Sequence, residues 1–128
     1  MDDSIKVEAK LLHDTICQPL ADPKRIVILY LLADGPHNVT EIAEVLKAPQ
    51  STASRHLKIL RERSLVHAER EGHQIVYSLA DRRIIQSLDL MRGMVMSILR
   101  EQGRVAESID VALHRTVPVA AEPEQTGS

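Results

Sequence analysis

A chain of 128 residues with 44% apolar content has room for one domain with a real core, but not for two ordinary ones. Tyr30 and Tyr77 are its only aromatics, which makes the core aliphatic and excludes an aromatic stacking platform for single-stranded nucleic acid. The formal net charge of -2 rules out bulk basicity, the single Cys17 excludes an intrachain disulfide or a Cys-rich metal site, and no apolar run is long enough to span a bilayer.

The amino terminus, MDDSIKVEAK, opens on acids and lacks the basic start and apolar stretch of a secretory signal, so the expected location is cytoplasmic, with no membrane partner. Ile5, Ala9, Leu12 and Ile16 recur at helical spacing, which predicts a first helix from Ser4 to about Gln18. Asp22 is suited to cap a second helix, and Pro23 fits its first turn, where a missing N–H costs nothing. Ile26, Leu29, Tyr30 and Ala33 mark the inner face of that helix, and Gly35–Pro36 ends it. In NVTEIAEVLKA a short third helix follows, capped by Asn38 or Thr40, with Ile42, Ala43 and Leu46 inside. Ala48–Pro49 breaks the chain, and QSTASRHLKILRER starts a fourth helix with Ala53, Leu57 and Leu60 as its inner face. Two short helices across a tight break have the dimensions of a helix-turn-helix.

After Arg63 the period changes. LVHAER and HQIVYSLA read as two short strands joined at Glu71–Gly72, with glycine supplying the freedom a tight turn needs. From Asp81 to about Gln102 a long helix returns, with Ile84, Leu88, Met91, Val95 and Ile98 at 4-3-4-3 spacing. Two parts are therefore expected: an ordered domain over residues 4–102, and a tail over 103–128 whose composition predicts disorder. The fold class is mainly α with a small β-hairpin, in the ααααββα order of a winged helix-turn-helix. Charge follows the same division. Residues 47–83 carry eight basic side chains against four acids, a local +4, while residues 1–22 and 105–128 each sum to -3. Fields act locally, so a basic centre can meet a polyanion inside an acidic chain.

Four blocks, PLADPKRIVILYLL, VTEIAEVL, QSTASRHLKILRERSLV and REGHQIVYSL, stand in the order and spacing of the ArsR/SmtB-type bacterial repressors, and the chain resembles that family from about Leu11 to Leu99. The resemblance implies a winged-helix homodimer that represses transcription and leaves its DNA when an inducer arrives. Two departures are visible: His73 stands where the family usually has Arg or Lys, and Pro49 where it commonly has a small capping residue.

A helix read into the major groove needs short polar residues at its leading end and longer donors behind them. Gln50, Ser51, Thr52, Ser54 and Arg55 answer the first need, with Arg55 suited to guanine and Gln50 to an adenine edge. Lys58 is suited to phosphate, and Arg70, His73 and Gln74 at the hairpin tip to the backbone or minor groove. His56 reads equally as a DNA contact or as a residue at the edge of the core. The partners expected are double-stranded DNA with a pseudo-palindromic operator and a second copy of the chain. Ile5, Leu12 and Ile16 of the first helix and Ile84, Leu88, Met91, Val95 and Ile98 of the last are the candidate dimer surface.

Metal-sensing members of the family carry either Cys-x-Cys before the reading helix or Asp and His ligands along the last helix. Neither set is present: Arg83, Met94 and Ser97 stand where ligands would be, and no metal or cofactor is expected. Met91, Met94 and Met96 read as packing. Cys17 with His13 four residues earlier remains a possible sensor, a thiol activated by imidazole or a half-site completed across a dimer; it reads as well as a packing cysteine. No phosphate loop, nucleophile elbow or metalloprotease motif suggests an enzyme. The competing function is a winged-helix protein-interaction module without DNA binding. The inducer and operator sequence are not encoded in any motif.

Overall fold

The computed structural model describes residues 2–103 and 111–112. Its elements are α1 (Asp3–Leu12), α2 (Pro23–Ala33), β1 (His37–Asn38), α3 (Val39–Leu46), α4 (Gln50–Glu62), β2 (Val66–Glu71), β3 (Gln74–Leu79) and α5 (Arg83–Gln102). The helices and the β2–β3 hairpin follow the expected ααααββα order. The chain divides into two units, one ending at Gln86 and the other beginning at Ser87, within α5. Apart from Gly103, Val111 and Ala112, the expected tail lies outside the described residues.

Local chemistry accounts for most boundaries. Asp2 caps α1 by accepting from the Ser4 N–H at 3.0 Å. The helix does not run regularly to Gln18 as expected. After Leu12 it widens into a π-helical turn, His13–Cys17, closed by the Gln18 N–H on the His13 carbonyl at 2.8 Å. Pro19 has no N–H to continue a helix, and Pro19–Ala21 tightens into a 3-10 turn instead. Asp22 accepts from the Lys24 N–H at 2.9 Å, with Pro23 in the first turn of α2. At α3 the Asn38 side chain accepts from the Glu41 N–H while the Glu41 carboxylate accepts from the Asn38 N–H, each at 2.9 Å, forming a capping box. Lys47 closes α3 with a left-handed φ of 54°, and Ala48–Pro49 then lead directly into α4.

The core of the first unit lies where α2, α3 and α4 pack together under the sheet. Ile28, Leu29, Ile42, Leu57 and Leu60 are fully buried, each burial contributing about 1.5–3 kcal/mol. Leu32, Ala43, Ala53, Leu65, Val66, Ile84 and Ile85 are also buried apolar residues of this unit. The inner face of α4 is thus the expected one, but that of α2 is rotated: Ile28 and Leu32 are buried, while Ile26, Tyr30 and Ala33 are half-buried.

The sheet has three antiparallel strands in the order β1-β3-β2. The unexpected β1 pairs His37 with Tyr77 and Asn38 with Val76. β2 and β3 run in register from Val66–Leu79 to Glu71–Gln74, leaving Gly72–His73 as a two-residue turn in which Gly72 takes a φ of 65°.

In the second unit, α5 buries Leu88 and exposes Leu90, Met91, Met94, Val95 and Ile98. Among the described residues no helix is long and apolar enough to cross a membrane.

Candidate nucleic-acid interface

The inner face of α4 decides what its outer face presents. With Ala53, His56, Leu57 and Leu60 buried at spacings of three, one and three, the opposite side carries Ser51, Ser54, Arg55, Lys58 and Arg61, all exposed. From Gln50 to Arg61 this helix has no acid. Among the described residues, no ion pair engages Arg55, Lys58, Arg61 or Arg70. Pro49 supplies no side-chain cap, so the first amides of α4 keep the positive end of the helix dipole open to an anion. The result is a short-residue leading end, a cationic stripe behind it, and a rigid apolar backing.

Two side chains assigned to DNA also make contacts within the chain. The Gln50 amide donates to Thr40 Oγ1 at 3.0 Å, tying the start of α4 to the start of α3. Gln74 Oε1 accepts from Asn38 Nδ2 at 2.8 Å, tying the hairpin to the residue that caps α3. Both glutamines remain exposed, as do Arg70 and His73 at the hairpin end, whereas Thr52 is half-buried.

His56 is not at this surface. It is 2% exposed, and its Nδ1 accepts from Arg25 Nη1 at 3.2 Å, which removes it from the set of DNA contacts and corrects that part of the expectation. Lys47 and Arg61 were not among the expected site residues, and Asn38 and Thr40 were expected only as cap candidates for α3. Arg61 continues the Arg55–Lys58 stripe and was visible from spacing; the other three depend on contacts or backbone geometry at the turn.

The expected dimer residues divide. Ile5 and Leu12 on α1 are exposed, Ile16 is half-buried, and Met91, Val95 and Ile98 on α5 are exposed. Ile84 and Leu88 are already buried within one chain, unlike the other expected α5 residues. Leu90, at 74% exposed, and Met94 are the apolar α5 residues that the 4-3-4-3 spacing missed.

Cys17 is exposed. His13 lies 3.0 Å through Nδ1 from Asp14 Oδ1, so the partner found for its ring is a carboxylate. Hydrogen bonds from Lys10, at 2.8 Å, and then from His13 draw the Asp14 carboxyl down to about 2. Asp81 accepts from the Arg83 N–H and guanidinium, which likewise lowers it to about 2. Among the described residues no group of three or more His, Cys, Asp or Glu side chains is arranged to hold a metal ion.

Residues 22–68, from the α2 cap to the start of the hairpin, match the family described as bacterial regulatory protein, arsR family. Over 72 residues the chain is 46% identical to the HTH-type transcriptional regulator NmtR of Mycobacterium tuberculosis, covering 56% of this chain and 60% of that one. The chain thus spans about three fifths of the length of this relative. It is 39% identical over 88 residues to the HTH-type transcriptional regulator CmtR of Mycobacterium bovis, covering 69% of this chain and 75% of that one. Its fold is similar, with a TM-score of 0.64 and 31% identity, to the homodimeric winged helix-turn-helix DNA-binding domain of Mb0332 from Mycobacterium bovis, over 73% of this chain and 89% of that one.

Proposed function

This chain belongs to the arsR family of bacterial regulatory proteins, and from that premise we propose that it is a sequence-specific DNA-binding repressor acting as a homodimer in the cytoplasm. The observation that carries the proposal is the exposed Ser51–Ser54–Arg55–Lys58–Arg61 stripe of α4, which has no acidic partner among the described residues and is backed by buried Ala53, Leu57 and Leu60. Ser51 to Arg55 read bases, Lys58 and Arg61 hold phosphates, and the hairpin carries Arg70 and His73 to the neighbouring backbone. Residues 4–102 form the DNA-binding and dimerisation domain. A two-fold pair of such helices needs a pseudo-palindromic operator with half-sites one helical turn apart.

Dimerisation is supported by two exposed apolar surfaces, each on its own element. α1 buries no residue, though Ile5, Val7, Leu11 and Leu12 lie on it, and α5 exposes Leu90, Met91, Met94, Val95 and Ile98. Release from DNA is assigned to an inducer. Cys17, exposed on the π-helical turn, is its candidate target, and Cys17→Ser retaining full release by oxidants, electrophiles and metals would remove it from that role.

Substitution of the two cations separates DNA reading from a protein-interaction role. Arg55→Ala is expected to erase the preference for operator over scrambled DNA, whereas Lys58→Ala weakens both alike. Unchanged affinity and preference in Arg55→Ala would refute the assignment of α4 as the reading helix.

A further inference from the structure

We propose that Asp22, Arg25 and His56 form the joint that seats α4 on the start of α2, which makes His56 a positioning residue for DNA recognition. Three observations converge on it. His56 is 2% exposed, on the face of α4 opposite the cationic stripe. Its Nδ1 accepts from Arg25 Nη1 at 3.2 Å, while Nε of the same guanidinium donates to the Pro19 carbonyl, so Arg25 clasps both the reading helix and the turn before α2. Asp22, the cap of α2, brings Oδ2 to 3.8 Å from His56 Nε2.

Arginine can only donate, so the Arg25 contact requires a lone pair on Nδ1, and His56 is the neutral tautomer with its proton on Nε2, facing Asp22. A second proton on Nδ1 would set donor against donor and break the clasp. Arg55, the residue assigned to base reading, immediately precedes His56, so its bearing on the groove follows from how this joint is seated.

Burial, then Arg25, Arg55 and Lys24, disfavour that proton, while Asp22 favours it; the balance holds His56 below its ordinary value. The sign follows from linkage. In the unfolded chain His56 protonates near the ordinary value of 6.5, so the joint's contribution is complete above that pH and is lost as the pH falls below it. By pH 5.5 this is a loss of up to about tenfold in the folding constant.

The test uses the full chain at pH 7.5 and 5.5, with His56→Asn and His56→Gln as variants that do not titrate. Asparagine can still accept from Arg25, and glutamine can still reach Asp22. NMR titration should find His56 protonating below the ordinary histidine value of 6.5. Denaturation should show the wild type losing up to about tenfold more of its folding constant than either variant between the two pH values. DNA from the chain's own upstream region should bind His56→Gln about tenfold or more weakly than wild type at pH 7.5. His56→Asn, which keeps the Arg25 contact, should recover most of that loss and show a smaller acid loss.

His56 titrating at or above that ordinary value overturns the joint. So does a stably folded His56→Gln that binds the upstream DNA as tightly as wild type at pH 7.5, or a stably folded His56→Asn that recovers none of the loss. The operator arm rests on the DNA-binding reading: wild type that binds no DNA at pH 7.5 refutes that reading, and the titration and denaturation arms then decide on the joint. If neither variant folds, the wild-type titration decides alone.

Discussion

Asn38 is the point at which three parts of the interface meet, so its replacement has a calculable and divisible cost. Asn38→Ala removes the oxygen that accepts from the Glu41 N–H at 2.9 Å and the amide that donates to Gln74 at 2.8 Å. Loss of an N-cap costs about 0.5–2 kcal/mol. An exposed neutral hydrogen bond contributes about 0.5–1 kcal/mol, at the lower end of the general range. Asn38→Ala should therefore cost about 1–3 kcal/mol in total. Asn38→Ser keeps a capping oxygen but is too short to reach Gln74, so it should cost only the smaller part, about 0.5–1 kcal/mol. Gln74→Ala should match it, because it removes the same bond from the other side. The double variant Asn38→Ser/Gln74→Ala should then cost little more than either alone. Urea unfolding at pH 7.5, with unchanged denaturant dependence across the set, measures all four. Equal costs for Asn38→Ser and Asn38→Ala, or full additivity in the double variant, would refute this division between cap and tether.

Further outcomes follow from burial and exposure. Leu57→Ala opens a cavity at a fully buried position and should destabilise by about 2–5 kcal/mol in the same unfolding assay. Leu90→Glu and Met94→Lys alter exposed α5 residues and should leave the unfolding of one chain nearly unchanged while shifting a dimer toward monomer in sedimentation equilibrium. Asp81→Asn removes the charge that Arg83 and the α5 start hold. Because Asp81 is depressed to about 2, its contribution is present above its unfolded value near 4 and lost as pH falls toward 2. Since it is exposed, the variant should change Tm by a few degrees at most at pH 7, and the difference from wild type should shrink as the pH falls from about 4 toward 2.

What was legible in the sequence is what a single element decides for itself. Asp22 before Pro23, Asn38 as one of two cap candidates ahead of α3, and the Ala53–Leu57–Leu60 spacing carry their roles locally, and the structure has them in those roles. The face of α2 was not legible because IVILYLLA is apolar at every position and offers no polar contrast to set a phase. β1 is two residues long, too short for any alternation, and exists through its pairing with Tyr77 and Val76. The burial of His56 depends on Arg25, 31 residues away, and the Gln74 tether on Asn38, 36 residues away. Such pairings leave no trace in spacing. The last helix reads as one continuous seam, yet packing divides it, with Ile84 and Leu88 inside and Met91, Val95 and Ile98 exposed.

The most direct test of DNA recognition through α4 is fluorescence anisotropy on duplex DNA from the chain's own upstream region, against a scrambled duplex, across a salt gradient. Two copies of the α4 stripe making about six to ten phosphate contacts should lose about 10³–10⁵-fold in affinity between roughly 50 and 200 mM salt, with the upstream duplex preferred throughout. Affinity that is flat in salt, or equal for the two duplexes, would contradict a base-reading helix at Ser51–Arg55.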